Sequence, residues 1–142
     1  GWPMITLITG APGSGKTIYT VSKMLSPHIG KTVKEQTDDG EIEWPVIIIT
    51  NIRGLLFDHQ FVDYEYLQKW PEWCKPGMIL VIDECQKLFV RRPAGSKVPE
   101  HVHELEEHRG KHSVDFVLIT EHPMLIDTHV QNLVGRHLES SF

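Results

Sequence analysis

The chain has 142 residues and a mass of 16.3 kDa, with 40% hydrophobic residues, which is the make-up of one domain with a buried core. A formal charge of −5 and a pI near 6.0 exclude a protein that coats nucleic acid through bulk positive charge, so any DNA contact must be a local patch. No apolar run approaches the roughly 18 to 20 residues that span a bilayer, and two cysteines, Cys74 and Cys85, without a CxxC pair describe a soluble, reduced, intracellular protein rather than a disulfide scaffold.

Gly1-Trp2-Pro3 ahead of Met4 reads as a cloning remnant, with a native start as the alternative. Residues 4–9 are an apolar, β-branched run of strand length, followed by GAPGSGKT from Gly10 to Thr17 and a helix over 16–25. The charged segment 34–43 carries Asp38-Asp39-Gly40, a turn signal, and is expected to be a hairpin tip or mobile loop. Strands are predicted at 46–50 and 78–82, and helices at 64–70 and 84–90. The segment 91–99, RRPAGSKVP, combines two prolines, one glycine and three cations, and reads as an exposed basic loop. A helix over 100–107, a strand over 114–120, a helix over 126–134 ended by Gly135 and the start of a fifth strand at 137–142 complete the pattern. The four strand runs are near-continuous rather than alternating, as in strands covered on both faces. Their alternation with helices implies parallel crossovers and hence an α/β sandwich around a mostly parallel sheet.

The stretch GAPGSGKT fits G-x-x-x-x-G-K-[ST] at Gly10, Gly15, Lys16 and Thr17, between a predicted strand and a predicted helix. That arrangement aims successive backbone N–H groups and the positive end of a helix dipole at one anion, while Gly13 and Gly15 let the backbone approach it closely. The loop and first turn, Ala11, Pro12, Gly13, Ser14, Gly15, Lys16, Thr17 and Ile18, are thus expected to hold ATP. Lys16 would neutralise the β- and γ-phosphates and Thr17 would place a hydroxyl on Mg²⁺. The bland alternative is a glycine turn before a helix, with Lys16 a solvated first-turn residue.

A second stretch, MILVIDE (Met78 to Glu84), describes a buried strand whose C-terminal end carries Asp83 to the same edge of the sheet, where ligands of such sheets gather. Asp83 is expected to hold Mg²⁺ through its water shell, and Glu84 to polarise a water for in-line attack on the γ-phosphate. The alternative is that the two acids cap the helix that follows. If the strand at 114–120 lies between the other two, as in the additional-strand class of P-loop ATPases, Thr120 and Glu121 emerge near the γ-phosphate. A carboxylate there is repelled unless protonated or paired, so Glu121 is either an unusual nucleotide sensor or an ordinary loop residue.

The segments LITGAPGSGKT, TNIRGL (Thr50 to Leu55), ILVIDECQ (Ile79 to Gln86), RRPAGSKVPEHV (Arg91 to Val102), EHRGKHSVDFVLITEHP (Glu107 to Pro123) and LVGRH (Leu133 to His137) resemble, in order and over nearly the whole chain, the cytoplasmic domain of the zonula occludens toxin (Zot) family, the Zot-like assembly proteins of filamentous phages. The phosphate loop is shared with many families; TNIRGL and the segment from Glu107 to Pro123 are more particular. Two positions depart from the family's usual pattern, Glu121 in place of glutamine and Gly110 in place of a histidine. The resemblance implies a three-layer, RecA-like P-loop NTPase of the additional-strand class, acting as an ATPase at the cytoplasmic face of the bacterial inner membrane in assembly and export of single-stranded-DNA phage. It also implies a homo-oligomeric ring, hexameric in the type case, with phage DNA, coat or other assembly proteins as partners and a downstream membrane segment outside this chain. In such a ring one subunit donates an arginine to its neighbour's γ-phosphate, for which Arg136 is the first candidate and Arg109 the second. The family name carries a toxin label, for which these residues offer no chemistry.

Nine histidines invite a zinc site, but only His108 and His112 have chelating spacing, and no third ligand accompanies them. Trp44, Trp70 and Trp73 could stack on DNA bases, although packing against the sheet is the commoner use. Arg91, Arg92 and Lys97 are the better candidates for DNA or coat-protein contact. Two rival functions stand beside the motor: a small-molecule kinase, which needs an arginine-rich lid, and a nucleotide-gated interaction module that hydrolyses poorly, which Glu121 keeps in play.

Overall fold

The computed structural model describes residues 5–10, 15–111 and 114–140, with backbone alone for 109–111. Eight strands occur in chain order among these residues: β1 (Ile5–Thr9), β2 (Thr32–Thr37), β3 (Gly40–Pro45), β4 (Ile47–Thr50), β5 (Gln60–Phe61), β6 (Met78–Ile82), β7 (Asp115–Thr120) and β8 (Arg136–Glu139). The helices are α1 (Lys16–Leu25), α2 (Tyr64–Gln68), α3 (Trp70–Trp73), α4 (Glu100–Lys111) and α5 (Thr128–Leu133).

Six strands make one sheet in the order β5-β4-β6-β7-β1-β8, with every pairing parallel. The strand β7 lies between β6 and β1, the additional-strand arrangement. In that register Thr9 pairs with Thr120 and Ile82 with Leu118, which brings the C-terminal ends of three strands to one edge. Side chains alternate between two cores, one on each face. Ile5, Leu7, Leu80, Ile82, Phe116 and Leu118 point to one, where Leu67, Trp70, Val102, Leu105 and Val130 cover them. Ile8, Ile79, Val81, Val117 and Ile119 point to the other, under Val21 and Leu25 of α1. This double coverage is why the strands read as continuous apolar runs. The segment expected as hairpin tip or loop is a two-stranded hairpin, β2 against β3, turning at Asp38 and Asp39 with Gly40 at φ 112°.

Three expectations are corrected. The helix over 84–90 does not form: Glu84 sits at φ 51° and ψ 46°, the left-handed region, and only a 3-10 turn (Cys85–Lys87) follows. Its apolar residues, Cys85, Leu88 and Phe89, enter the core from that turn instead. The single helix over 64–70 is two short ones, because Pro71 lies in the first turn of α3 and has no N–H with which to continue the α2 ladder. The helix over 126–134 starts late, at Thr128, where Asp127 accepts the N–H of His129 as its cap, and it ends at Leu133; Gly135 donates its N–H to Ile5 and leads into β8. Among the described residues no helix is long and apolar enough to cross a membrane.

Candidate functional site

A cleft of about 310 Å³ opens at the C-terminal edge of the sheet. It is lined by Gly10 and Thr17 beside β1, Asn51 and Arg53 after β4, Asp83, Glu84 and Gln86 after β6, and Thr120, Glu121 and His122 at the end of β7, with Ile18 on the α1 side. The residues expected from three separate sequence segments are therefore neighbours. Gly15 is the N-cap of α1 and Lys16 is its first residue; Ala11, Pro12, Gly13 and Ser14 lie outside the described residues. A Cβ at Gly10 would fall 1.9 Å from the Ser140 hydroxyl oxygen, so any larger residue there requires Ser140 to shift.

Asp83 is held by its backbone. Asn51 accepts the Asp83 N–H at 2.7 Å and donates its amide to the Asp83 carbonyl at 3.1 Å, a two-point clamp that extends the β4–β6 pairing by one residue. Its half-buried carboxylate accepts the N–H of Glu84 at 2.9 Å, and among the described residues no ion pair reaches it. Burial raises its pKa above the usual aspartate value, and the Glu84 charge adds to the rise against the opposing effects of that N–H and of Lys87. The left-handed Glu84 turns its exposed carboxylate to Lys87, 2.8 Å away. At the end of β7 the buried Thr120 donates its hydroxyl to Gln86 at 2.7 Å and accepts the N–H of His122 at 2.9 Å. Glu121 lies at the rim, with its carboxylate 3.9 Å from the His122 ring. The Thr17 hydroxyl lies 3.2 Å from that of Ser140.

Other sequence candidates fall elsewhere. Arg136 begins β8, opposite Thr6, and shares a small cavity with Met24, His28 and Asp115 at the N-terminal edge of the sheet, the far side from the cleft in the same chain. Arg109 is near the end of α4, on the approach to the start of β7; its side chain lies outside the described residues, as does His112. The basic loop is less free than expected, because Arg92 pairs with the buried Asp127 and also donates to the carbonyls of Ser96 and Lys97, and Arg91 donates to the Met124 carbonyl at 3.0 Å. Trp70 is a core residue packed edge-on to Phe116, and Trp73 stacks on Tyr66 while donating to its carbonyl, so neither is an open stacking platform.

The polar cleft residues Asn51, Arg53, Gln86 and His122 had no assigned role in the sequence reading, nor had Ser140, which lies against Thr17. Asn51 and Arg53 stand in TNIRGL, a segment distinctive enough to signal them, and the Arg53 guanidinium lies 4.1 Å from the Phe61 ring centre. Gln86 and Ser140 carried no local signal. The oxygen donors that converge here, a threonine hydroxyl and an aspartate carboxylate, are the hard ligands that Mg²⁺ prefers, and one or two of them suffice because it keeps most of its waters. The Gly15-capped start of α1 on one side and carboxylates on the other therefore form a lining that a magnesium-bound polyphosphate would fit.

Comparison with known proteins agrees with this geometry. The family model described as zonular occludens toxin (Zot) matches residues 4–64 and 56–141. The protein ORF301 of Pseudomonas phage Pf3, named as an assembly protein, is 33% identical over 141 residues, covering 95% of this chain and 42% of its own length. This chain thus spans less than half of that relative. The crystal structure of the N-terminal domain of zonular occludens toxin from Neisseria meningitidis superposes with a TM-score of 0.76 at 34% identity, over 98% of this chain and 77% of that one. The genome packaging NTPase B204 of Sulfolobus turreted icosahedral virus 2, solved with ATP-gammaS, shares the fold at a TM-score of 0.53 and 15% identity, over 93% and 70% of the two chains. With a family model matched from end to end and a relative one-third identical across the fold, the chain belongs to the zonular occludens toxin (Zot) family.

Proposed function

We propose that the cleft binds and hydrolyses magnesium ATP, and that this domain is the motor of a filamentous-phage assembly machine. The observation that carries the reading is the convergence on one cleft of Thr17, in the first turn of α1, with Asp83, Glu84 and Glu121 just past the ends of the neighbouring parallel strands β6 and β7. A chance glycine turn before a helix does not explain why acidic residues of two other segments line the same cleft as Thr17. In this reading the backbone from Ala11 to Gly15 donates N–H groups to the phosphates, and Lys16 offsets their charge. Thr17 and Asp83 hold the magnesium, which supplies further charge neutralisation when bound. Glu84 takes the proton of the attacking water onto its carboxylate, which requires that it exchange its pair with Lys87.

The same proposal extends to the whole machine. The assembly-protein name of ORF301 and the ATP-gammaS complex of B204 support an ATP-driven role in virion assembly and export. The domain would act in a ring, hexameric by analogy, on phage DNA, coat or other assembly proteins at the cytoplasmic face of the host inner membrane, attached by a segment outside these residues. Arg136 and Arg109 lie away from their own cleft, so a neighbour's site is where either would act.

Phosphate release from ATP and magnesium, followed across a protein concentration series beside a Lys16→Ala control, tests the proposal. Turnover per subunit that rises with concentration and disappears in the control is expected. A chain that neither binds ATP nor releases phosphate overturns it. The Glu84–Lys87 pair and the Glu121 carboxylate in the cleft favour one second reading, a nucleotide-gated module with little hydrolysis. A large gain in turnover from Glu121→Gln would support it.

A further inference from the structure

We infer that Ser140, just beyond the last strand, fixes the direction of the Thr17 hydroxyl and thereby tunes the site's hold on its divalent cation. The inference rests on the magnesium-nucleotide reading of the cleft. Three contacts carry it. The Ser140 N–H donates to the Thr9 carbonyl at 2.8 Å, extending the β1–β8 ladder by one rung. Its hydroxyl donates to that same carbonyl at 3.3 Å and lies 3.2 Å from the Thr17 hydroxyl. A carbonyl oxygen has lone pairs and no proton, so between Ser140 and Thr9 the serine must be the donor. The serine has one proton. With it on that carbonyl, Thr17 is the donor in the 3.2 Å contact, in which either hydroxyl could otherwise donate, and its own lone pairs turn away from the serine.

A threonine that serves a cation must present lone pairs and keep its proton elsewhere. Left alone, a hydroxyl rotates between orientations that do and do not. The chain Thr17 to Ser140 to Thr9 selects the productive one before the cation arrives, the logic by which outer-shell partners orient metal ligands. Ser140 is well placed to be stiff: it is 4% exposed, and its oxygen fills the space that a side chain at Gly10 would need. Ser140 is therefore a positioning residue, acting through Thr17.

The test is the magnesium dependence of binding of a fluorescent ATP analogue, N-methylanthraniloyl-ATP, to the unaltered chain and to Ser140→Ala, with a parallel titration in EDTA. The expected result is a three- to tenfold rise, about the worth of one hydrogen bond, in the magnesium concentration needed for half of the effect, with binding in EDTA unchanged. Ser140→Cys, close in size and a poor hydrogen-bonding partner, is expected to behave the same way should the alanine variant fold poorly. In a Thr17→Ala background, Ser140→Ala is expected to add nothing. An unchanged magnesium requirement overturns the inference, as does an equal loss of binding with and without magnesium, which is the signature of damaged packing. If the unaltered chain binds no analogue under either condition, the underlying reading of the cleft fails with it.

Discussion

Asp83 at the end of β6 and Asp127 ahead of α5 are both carboxylates withdrawn from water, yet their surroundings push them in opposite directions. Burial would raise the Asp127 pKa, but the Arg92 guanidinium and the N–H groups of His129 and Val130 hold it below the usual aspartate value. Asp83 has one backbone N–H and, among the described residues, no ion-paired arginine, and its pKa is raised by burial. Asp127 is 1% exposed and fully occupied in fastening the 91–99 loop and capping a helix. The turn after β6 is unfinished by comparison. A half-buried carboxylate clamped by its backbone is, in the proposed function, the group that would receive a cation from solution, whereas one that meets an arginine is part of the scaffold.

The comparison can be broken most severely at Asp83. Asp83→Asn keeps the shape and the Asn51 clamp but removes the charge, and is expected to lower magnesium-dependent phosphate release by a hundredfold or more, of the order of several kcal/mol, with no loss in thermal unfolding midpoint. The same kind of cut in the scaffold pair should do the reverse. Arg92→Met leaves the Asp127 carboxylate without its partner, and urea unfolding is expected to show a clear loss of stability, with analogue binding at the cleft retained.

A pH series sharpens the contrast. A carboxylate whose folded pKa is depressed contributes stability that is present above its ordinary value of 3.8 and is lost as pH falls through the folded value. Urea midpoints of the unaltered chain should therefore drop in that acid window more steeply than those of Asp127→Asn. The smallest effect on stability is expected at Glu84. Glycine there relieves the left-handed strain and should raise stability by about 0.5–1 kcal/mol while abolishing the proposed water activation, which paired unfolding and turnover measurements would show.

Much of this was legible in the sequence for identifiable reasons. The strands β1, β6 and β7 are buried on both faces, so their residues are apolar throughout and stand out, and α1 begins where the glycine-rich loop ends. The helix predicted after Asp83 failed because apolar spacing in 84–90 reports burial, not backbone conformation; a left-handed residue that is not glycine leaves no local trace. Arg91 and Arg92 look alike in sequence. Only the fold places Asp127, 35 positions away, against one of them. Asn51 and Ser140 were missed for the same reason, since the groups they hold, Asp83 and Thr17, are 32 and 123 positions away.

The place of β1 in the sheet has a consequence for how the domain is made. Both neighbours of β1, the strands β7 and β8, are distant from it in sequence and are translated after β2 to β6, and Thr6 pairs with Val117 on one side and Arg136 on the other. While β4 and β6 can already associate, β1 waits for most of the domain to be translated. Such distant pairings make folding slow and leave an apolar strand exposed in the interim. The nucleotide cleft, which needs β1 and β7 side by side, is then among the last features to form, so a nascent chain acquires its proposed motor chemistry only when its fold is nearly complete.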